Sequence, residues 1–88
     1  MKILVLCKPR SGVTPAEMRP HLQAETAALR QLRATGQLDE AFSPGGPGAV
    51  LILEAPNTDA ARRITETLPL YRAGLIETDL TELHPFDL

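Results

Sequence analysis

The sequence predicts a small α+β domain with the element order βαββαβ. Three observations predict it. Two runs, residues 2–8 and 49–54, are rich in leucine and β-branched residues and too short for helices. Two longer stretches open with helix-start residues and continue with apolar residues three and four apart. The chain of 88 residues holds one domain, close to the size at which a single core only just suffices.

The elements follow in order. Residues 2–8 are the first strand and residues 9–13 a loop. Thr14-Pro15-Ala16-Glu17 then carries a Thr-x-x-Glu capping box, with proline where the first helical residue belongs. The helix runs to about Thr35, and Gly36 stops it with a positive φ. Pro20 conflicts with this reading, because it removes a helical hydrogen bond and disfavours helix at Arg19. Either the helix kinks there, or a short turn precedes a helix starting near Pro20. Residues 37–42 form a second, poorer strand. Residues 43–48, Ser-Pro-Gly-Gly-Pro-Gly, are a turn, and Ala49–Glu54 is a strongly apolar third strand. Pro56-Asn57-Thr58-Asp59 opens a second helix that runs to about Leu68, where Pro69 ends it. Residues 74–83 make the fourth strand and residues 84–88 a tail.

The sheet carries more apolar surface than its own helices can cover. Strand one offers Ile3, Val5 and Cys7 on one face and Leu4 and Leu6 on the other; strand three offers Val50 and Ile52 against Leu51 and Leu53. Two helices cover one face of a four-stranded antiparallel sheet, the ferredoxin-like sandwich, and the other face needs a partner. The simplest partner is a second copy packed sheet to sheet, giving a homodimer, an α+β barrel or a ring of dimers.

Composition excludes several classes. Aromatics are scarce, with Phe42, Tyr71, Phe86 and no Trp, so no stacking platform for single-stranded nucleic acid is expected. A net charge of −2 with scattered Arg and Lys gives no basic stripe for nucleic acid or a membrane surface. One cysteine forms no internal disulfide, and no zinc spacing occurs. The start, MKILVLCK, is too short and too soon charged for a signal peptide, and no run approaches membrane-spanning length, so a cytoplasmic protein is expected.

Glu25 is the most informative residue. Met18, Leu22, Leu29 and Leu32 recur as a core-facing stripe, and at roughly 100° per residue Glu25 falls inside it. A carboxylate there points at the sheet, so it needs a donor or carries a raised pKa. Such a group in an apolar cleft suits general acid or base work. His21, at i−4, lies within side-chain reach. The alternative is a rotated helix with Glu25 half exposed and bonded to Arg or His.

The remaining candidates are weaker. Arg19 is a possible anion anchor, Tyr71 and Arg72 close the cleft mouth or cap the sheet, and His84 lines the pocket or an oligomer contact. Glu77 and Asp79 share one sheet face and read as a solvated or interface pair. Cys7 reads as a buried small hydrophobe rather than a nucleophile. The Gly45-Gly46-Pro47-Gly48 loop opens no helix and lacks the Lys-Ser/Thr of a phosphate loop. His21, Glu25 and His84 lack the spacing of a metal site.

The segment Leu68-Pro69-Leu70-Tyr71, the strand Leu75-Ile76-Glu77-Thr78-Asp79-Leu80-Thr81-Glu82-Leu83 and His84-Pro85 resemble the end of the muconolactone isomerases. Counting back from Gly36, Glu25 matches an acidic helix position that in that family is a candidate for proton transfer. Arg19-Pro20-His21-Leu22 and Tyr71-Arg72-Ala73-Gly74-Leu75 resemble segments of the small YCII-type proteins. Both families belong to the dimeric α+β barrels, which implies that fold. Two features depart from the isomerases: Leu22 stands where they carry a helix lysine, and Phe42 with the Gly/Pro loop replaces their Trp-Arg region. The cations that would grip a lactone carboxylate are therefore missing, and a less charged molecule of similar size fits better than muconolactone.

The resemblance with Glu25 leads to an expected cofactor-independent proton transfer on a small cyclic or polyketide-like substrate. Glu25 takes a proton next to a carbonyl and returns it elsewhere, His21 tunes it, and Tyr71 or Arg72 holds the substrate. Two alternatives stand beside it: a non-catalytic oligomeric ligand-binding or accessory protein, and a YCII-like enzyme that uses His21.

Overall fold

Strands with alternating faces pair with one another, and four do so here. The computed structural model describes residues 1–88. Strands β1 (Lys2–Pro9), β2 (Leu38–Phe42), β3 (Ala49–Glu54) and β4 (Ile76–Leu83) form one sheet in the order β2-β3-β1-β4. All neighbours are antiparallel, and Val5 of the central β1 faces Leu51 on one side and Leu80 on the other. The face so defined is the core: Ile3, Val5, Cys7, Leu51 and Leu53 are each at most 5% exposed. Each such apolar side chain contributes about 1.5–3 kcal/mol when fully buried. Between β2 and β3 the register shifts at Leu38/Glu40, so Asp39 is the extra residue and Leu38 still turns inward.

The first helical region divides where Pro20 predicts trouble. Helix α1 (Pro15–Met18) is followed by a 3-10 turn, Arg19–His21, and then by α2 (Leu22–Ala34). The turn absorbs the donor that proline lacks. The capping box forms: the Thr14 hydroxyl accepts from the Glu17 N–H at 3.3 Å, and the Glu17 carboxylate accepts from the Thr14 N–H at 3.2 Å. At the far end Gly36 has φ +81°, and the N–H groups of Gly36 and Gln37 donate back to Arg33 and Leu32.

The second helical region differs from its expectation. Helix α3 (Thr58–Thr65), capped by Asn57 through a 2.8 Å bond from the Ala60 N–H, stops before Leu68. Pro69 does not merely end a helix. It opens another, α4 (Pro69–Arg72), as its first residue, with Leu68 at the N-cap.

The helices lie over the core face. On the opposite face the alternation sets out Leu4, Leu6, Val50, Ile52, Phe42 and Leu83, of which Leu6, Phe42 and Leu83 are exposed. No helix is long and apolar enough to cross a membrane.

Candidate active site

Helix α2 packs mainly on β2 and α4 and has no fully buried residue. Leu22 is 46% exposed despite its place in the apolar stripe. The reason is a cleft of about 340 Å³ between the helix and the end of the sheet. Met18, Leu22, Glu25 and Leu29 form its helical wall, and Cys7 and Ile76 come from β1 and β4. Gly46, Pro47 and Gly48 also line it, as does Leu70 of α4.

Glu25 is held at one oxygen. Its Oε1 accepts the Leu70 N–H at 2.9 Å. Leu70 is the second residue of α4, where Leu68 has no side-chain acceptor and Pro69 has no N–H. Glu25 therefore caps α4 from a different helix. Burial pushes the Glu25 carboxyl above the ordinary carboxylate range, and the Leu70 bond offsets only part of that rise. Oε2 has no protein partner, and no side-chain nitrogen or oxygen is buried without one, so Oε2 keeps some accessible surface. Burial and then the Glu25 charge push the neighbouring Cys7 thiol up to about 11. Cys7 is thus a protonated, apolar wall at neutral pH.

The other expected site residues lie elsewhere in the chain. His21 is half-buried at the end of the 3-10 turn; no hydrogen bond or ion pair joins it to Glu25, and it is not part of the cleft lining. Arg19 is exposed at the start of that turn. Tyr71 packs half-buried against the core, and Arg72 is exposed at the end of α4. His84 lies beyond β4, with Nε2 3.5 Å from Glu82, in a separate hollow beside Met1, Lys2 and Glu54 at the opposite end of β1. Glu77 and Asp79 stand on the open sheet face, where Asp79 lies 4.0 Å from Lys8. Of the expected residues, one chain brings Glu25 alone to the cleft.

The sequence reading did not foresee the Gly46–Gly48 wall or the Leu70 donor. Spacing gives no sign of the wall, because the loop reaches the cleft only through strand pairing. Leu70 had a readable signal: a proline at the first helical position behind a Leu N-cap leaves the next N–H in need of an outside acceptor.

A four-stranded antiparallel sheet with helices over one face and a carboxylate-bearing cleft between them defines a ferredoxin-like α+β domain. Within that class the chain belongs to the YCII-related domain family, which matches residues 1–83. Two solved structures share the fold. One is the 5-chloro-2-hydroxyhydroquinone dehydrochlorinase of Burkholderia phenoliruptrix, in complex with 2,5-dihydroxybenzoquinone. Its TM-score is 0.76 at 24% identity, over 96% of this chain and 94% of that one. The other is a muconolactone isomerase, with a TM-score of 0.75 at 18% identity over 100% of this chain and 95% of that one. At these identities the likeness establishes the fold. No curated protein matches the chain in sequence.

Proposed function

We propose that this chain is a small cofactor-independent enzyme, muconolactone isomerase-like, that moves a proton on a small cyclic organic substrate. The observation that carries the reading is Glu25: a carboxylate in an apolar cleft, fixed at Oε1 by Leu70 and open at Oε2. Burial raises its proton affinity toward the range in which a carboxylate both takes and returns a proton. In the reaction Oε2 takes a proton from a carbon beside a carbonyl. The electrons of that C–H bond form a new C=C bond, and the carbonyl π pair moves to oxygen. Where a C=C bond lies next to that carbon, return of the proton to the far carbon of the dienolate, with the oxygen's pair reforming the carbonyl, completes a double-bond isomerisation. Return of the proton to the oxygen completes a tautomerisation. Attack of the enolate carbon on a second carbonyl of the same molecule, whose oxygen takes the proton, closes a ring. The names of the two structural neighbours, a dehydrochlorinase and a lactone isomerase, denote reactions of small oxygenated rings that such a base serves.

The open sheet face supports a homodimer as the working unit, a second copy covering Leu4, Leu6, Val50, Ile52 and Phe42. His21, Arg19, Tyr71, Arg72 and His84 keep secondary roles in this reading, in binding substrate or at subunit contacts.

The test is exchange of carbon-bound protons in deuterated solvent across a panel of cyclic ketones and lactones, followed by proton NMR. The wild type accelerates exchange for at least one member, and Glu25→Gln loses about 10²–10⁴-fold of that rate. Full activity in Glu25→Gln overturns the assignment. If His21→Gln abolishes exchange and Glu25→Gln does not, the YCII-like alternative replaces it. If no member exchanges, the accessory protein does.

A further inference from the structure

Proton removal from carbon needs a donor for the oxygen that gains charge as the proton leaves. The side chains of the cleft supply almost none. No Lys, Arg or His lines it, and besides Glu25 only the weakly donating Cys7 thiol carries a polar hydrogen. The Leu70 N–H is already bonded to Glu25. Two strong donors remain on the backbone. Gly46 and Gly48 both line the cleft, and neither N–H is bonded to a protein acceptor, whereas the adjacent Gly45 N–H donates to Ser43. Pro47, between them, has no N–H.

The turn is also pinned. Gly48 has φ +110°, and a Cβ there would come within 2.4 Å of the Cys7 carbonyl oxygen. A residue this close to β1 holds its N–H in a fixed place, which is what preorganised stabilisation of a developing charge requires. Charge narrows the ligand as well. Glu25 is the sole ionisable carboxyl of the lining, and no cation accompanies it. A second carboxylate brought in by a ligand would lose its hydration without gaining a partner.

Resting on the proton-transfer reading above, we propose that the Gly46 and Gly48 N–H groups receive the substrate's carbonyl oxygen across the cleft from Glu25, and that the substrate is an uncharged cyclic carbonyl compound. When Glu25 takes the proton, the negative charge that reaches the oxygen is held by these two donors, and it returns to carbon on reprotonation. The loop is a binding element of the reaction rather than a passive hairpin.

The experiment is a titration of ¹⁵N-labelled protein with cyclohexanone and, separately, with its carboxylate derivative, followed by amide NMR. Cyclohexanone shifts Leu22, Leu29 and Ile76 and moves the Gly46 and Gly48 amide protons downfield together. The carboxylate derivative binds about tenfold more weakly. Gly46→Pro, which removes the N–H, weakens binding about threefold to tenfold. Shifts at Leu22, Leu29 and Ile76 without movement of the two glycine amides overturn this inference and leave Glu25 as the base. Equal binding of the carboxylate derivative overturns the uncharged-substrate part. If neither probe moves a cleft resonance, this inference falls, while the proton-transfer reading stands or falls on the exchange panel above.

Discussion

Glu25 caps α4 and, in the function proposed above, presents a base, and a pair of substitutions separates the two. Glu25→Ala and Glu25→Gln both remove the charge, so the difference between them reports the hydrogen bond together with the partly buried side-chain stem that only Gln keeps. Gln keeps an acceptor for the Leu70 N–H, held at 2.9 Å in the wild type; Ala leaves that donor unpaired in a partly buried place. An orphaned helix-start donor costs about 1–2 kcal/mol. For a domain of this size that separates the two melting temperatures by about 4–16 °C, with Gln the higher. The assay is thermal unfolding of both variants at equal protomer concentration, since association shifts the transition. Equal melting temperatures would refute the capping role. The charge is then read from wild type against Glu25→Gln across pH. Because burial raises the carboxyl's folded pKa, the native state binds more protons than the unfolded one between the ordinary value of about 4.3 and the raised value. Wild-type stability relative to Glu25→Gln therefore falls as pH rises through that window and is level above it. A relative gain with rising pH would contradict the burial of this group.

Three further outcomes are expected. Gly48→Ala places a Cβ against the Cys7 carbonyl in a backbone region that side chains avoid, so chemical denaturation should show a loss of about 1–3 kcal/mol. Cys7, with its thiol pushed up to about 11, holds only about one thiolate in ten thousand at pH 7; thiol reagents should label the native protein far more slowly than the denatured one, and equal rates would argue against the closed environment. Leu6→Asp puts a charge in the middle of the open sheet face that the proposed homodimer would bury, so sedimentation should show a dimer for the wild type and a monomer for the variant. An unchanged sedimentation coefficient would place the subunit contact elsewhere.

The parts of the fold that local chemistry decides were legible in the sequence. The third strand lies at Ala49–Glu54 as expected, because its apolar run is bounded by glycine and proline on one side and a proline turn on the other. The Thr14–Glu17 box and the Gly36 stop are also local, and both form. Pro20 announced a break, and the 3-10 turn Arg19–His21 is its form. Pro69 was misread, since a proline that stops one helix also suits the first position of the next. That reading hid α4, and with it the donor that fixes Glu25. The stripe rule did place Glu25 toward the sheet. It did not reveal that Leu22 and Leu29 face a cleft rather than a closed core, because the stand-off of α2 depends on where α4 and the Gly46–Gly48 turn settle. Contacts made across such sequence distances leave no periodicity to read.

In the proposed function Glu25 presents a partly desolvated carboxyl to the cleft. The most direct test is a carbon NMR titration of the Glu25 carboxyl, assigned by comparison with Glu25→Gln. A midpoint clearly above about 4.3 is the predicted result and places the base in its cleft. A midpoint at or below that value would mean a solvated or ion-paired carboxylate, and the chain would then be better described as a non-catalytic binding protein of the same fold.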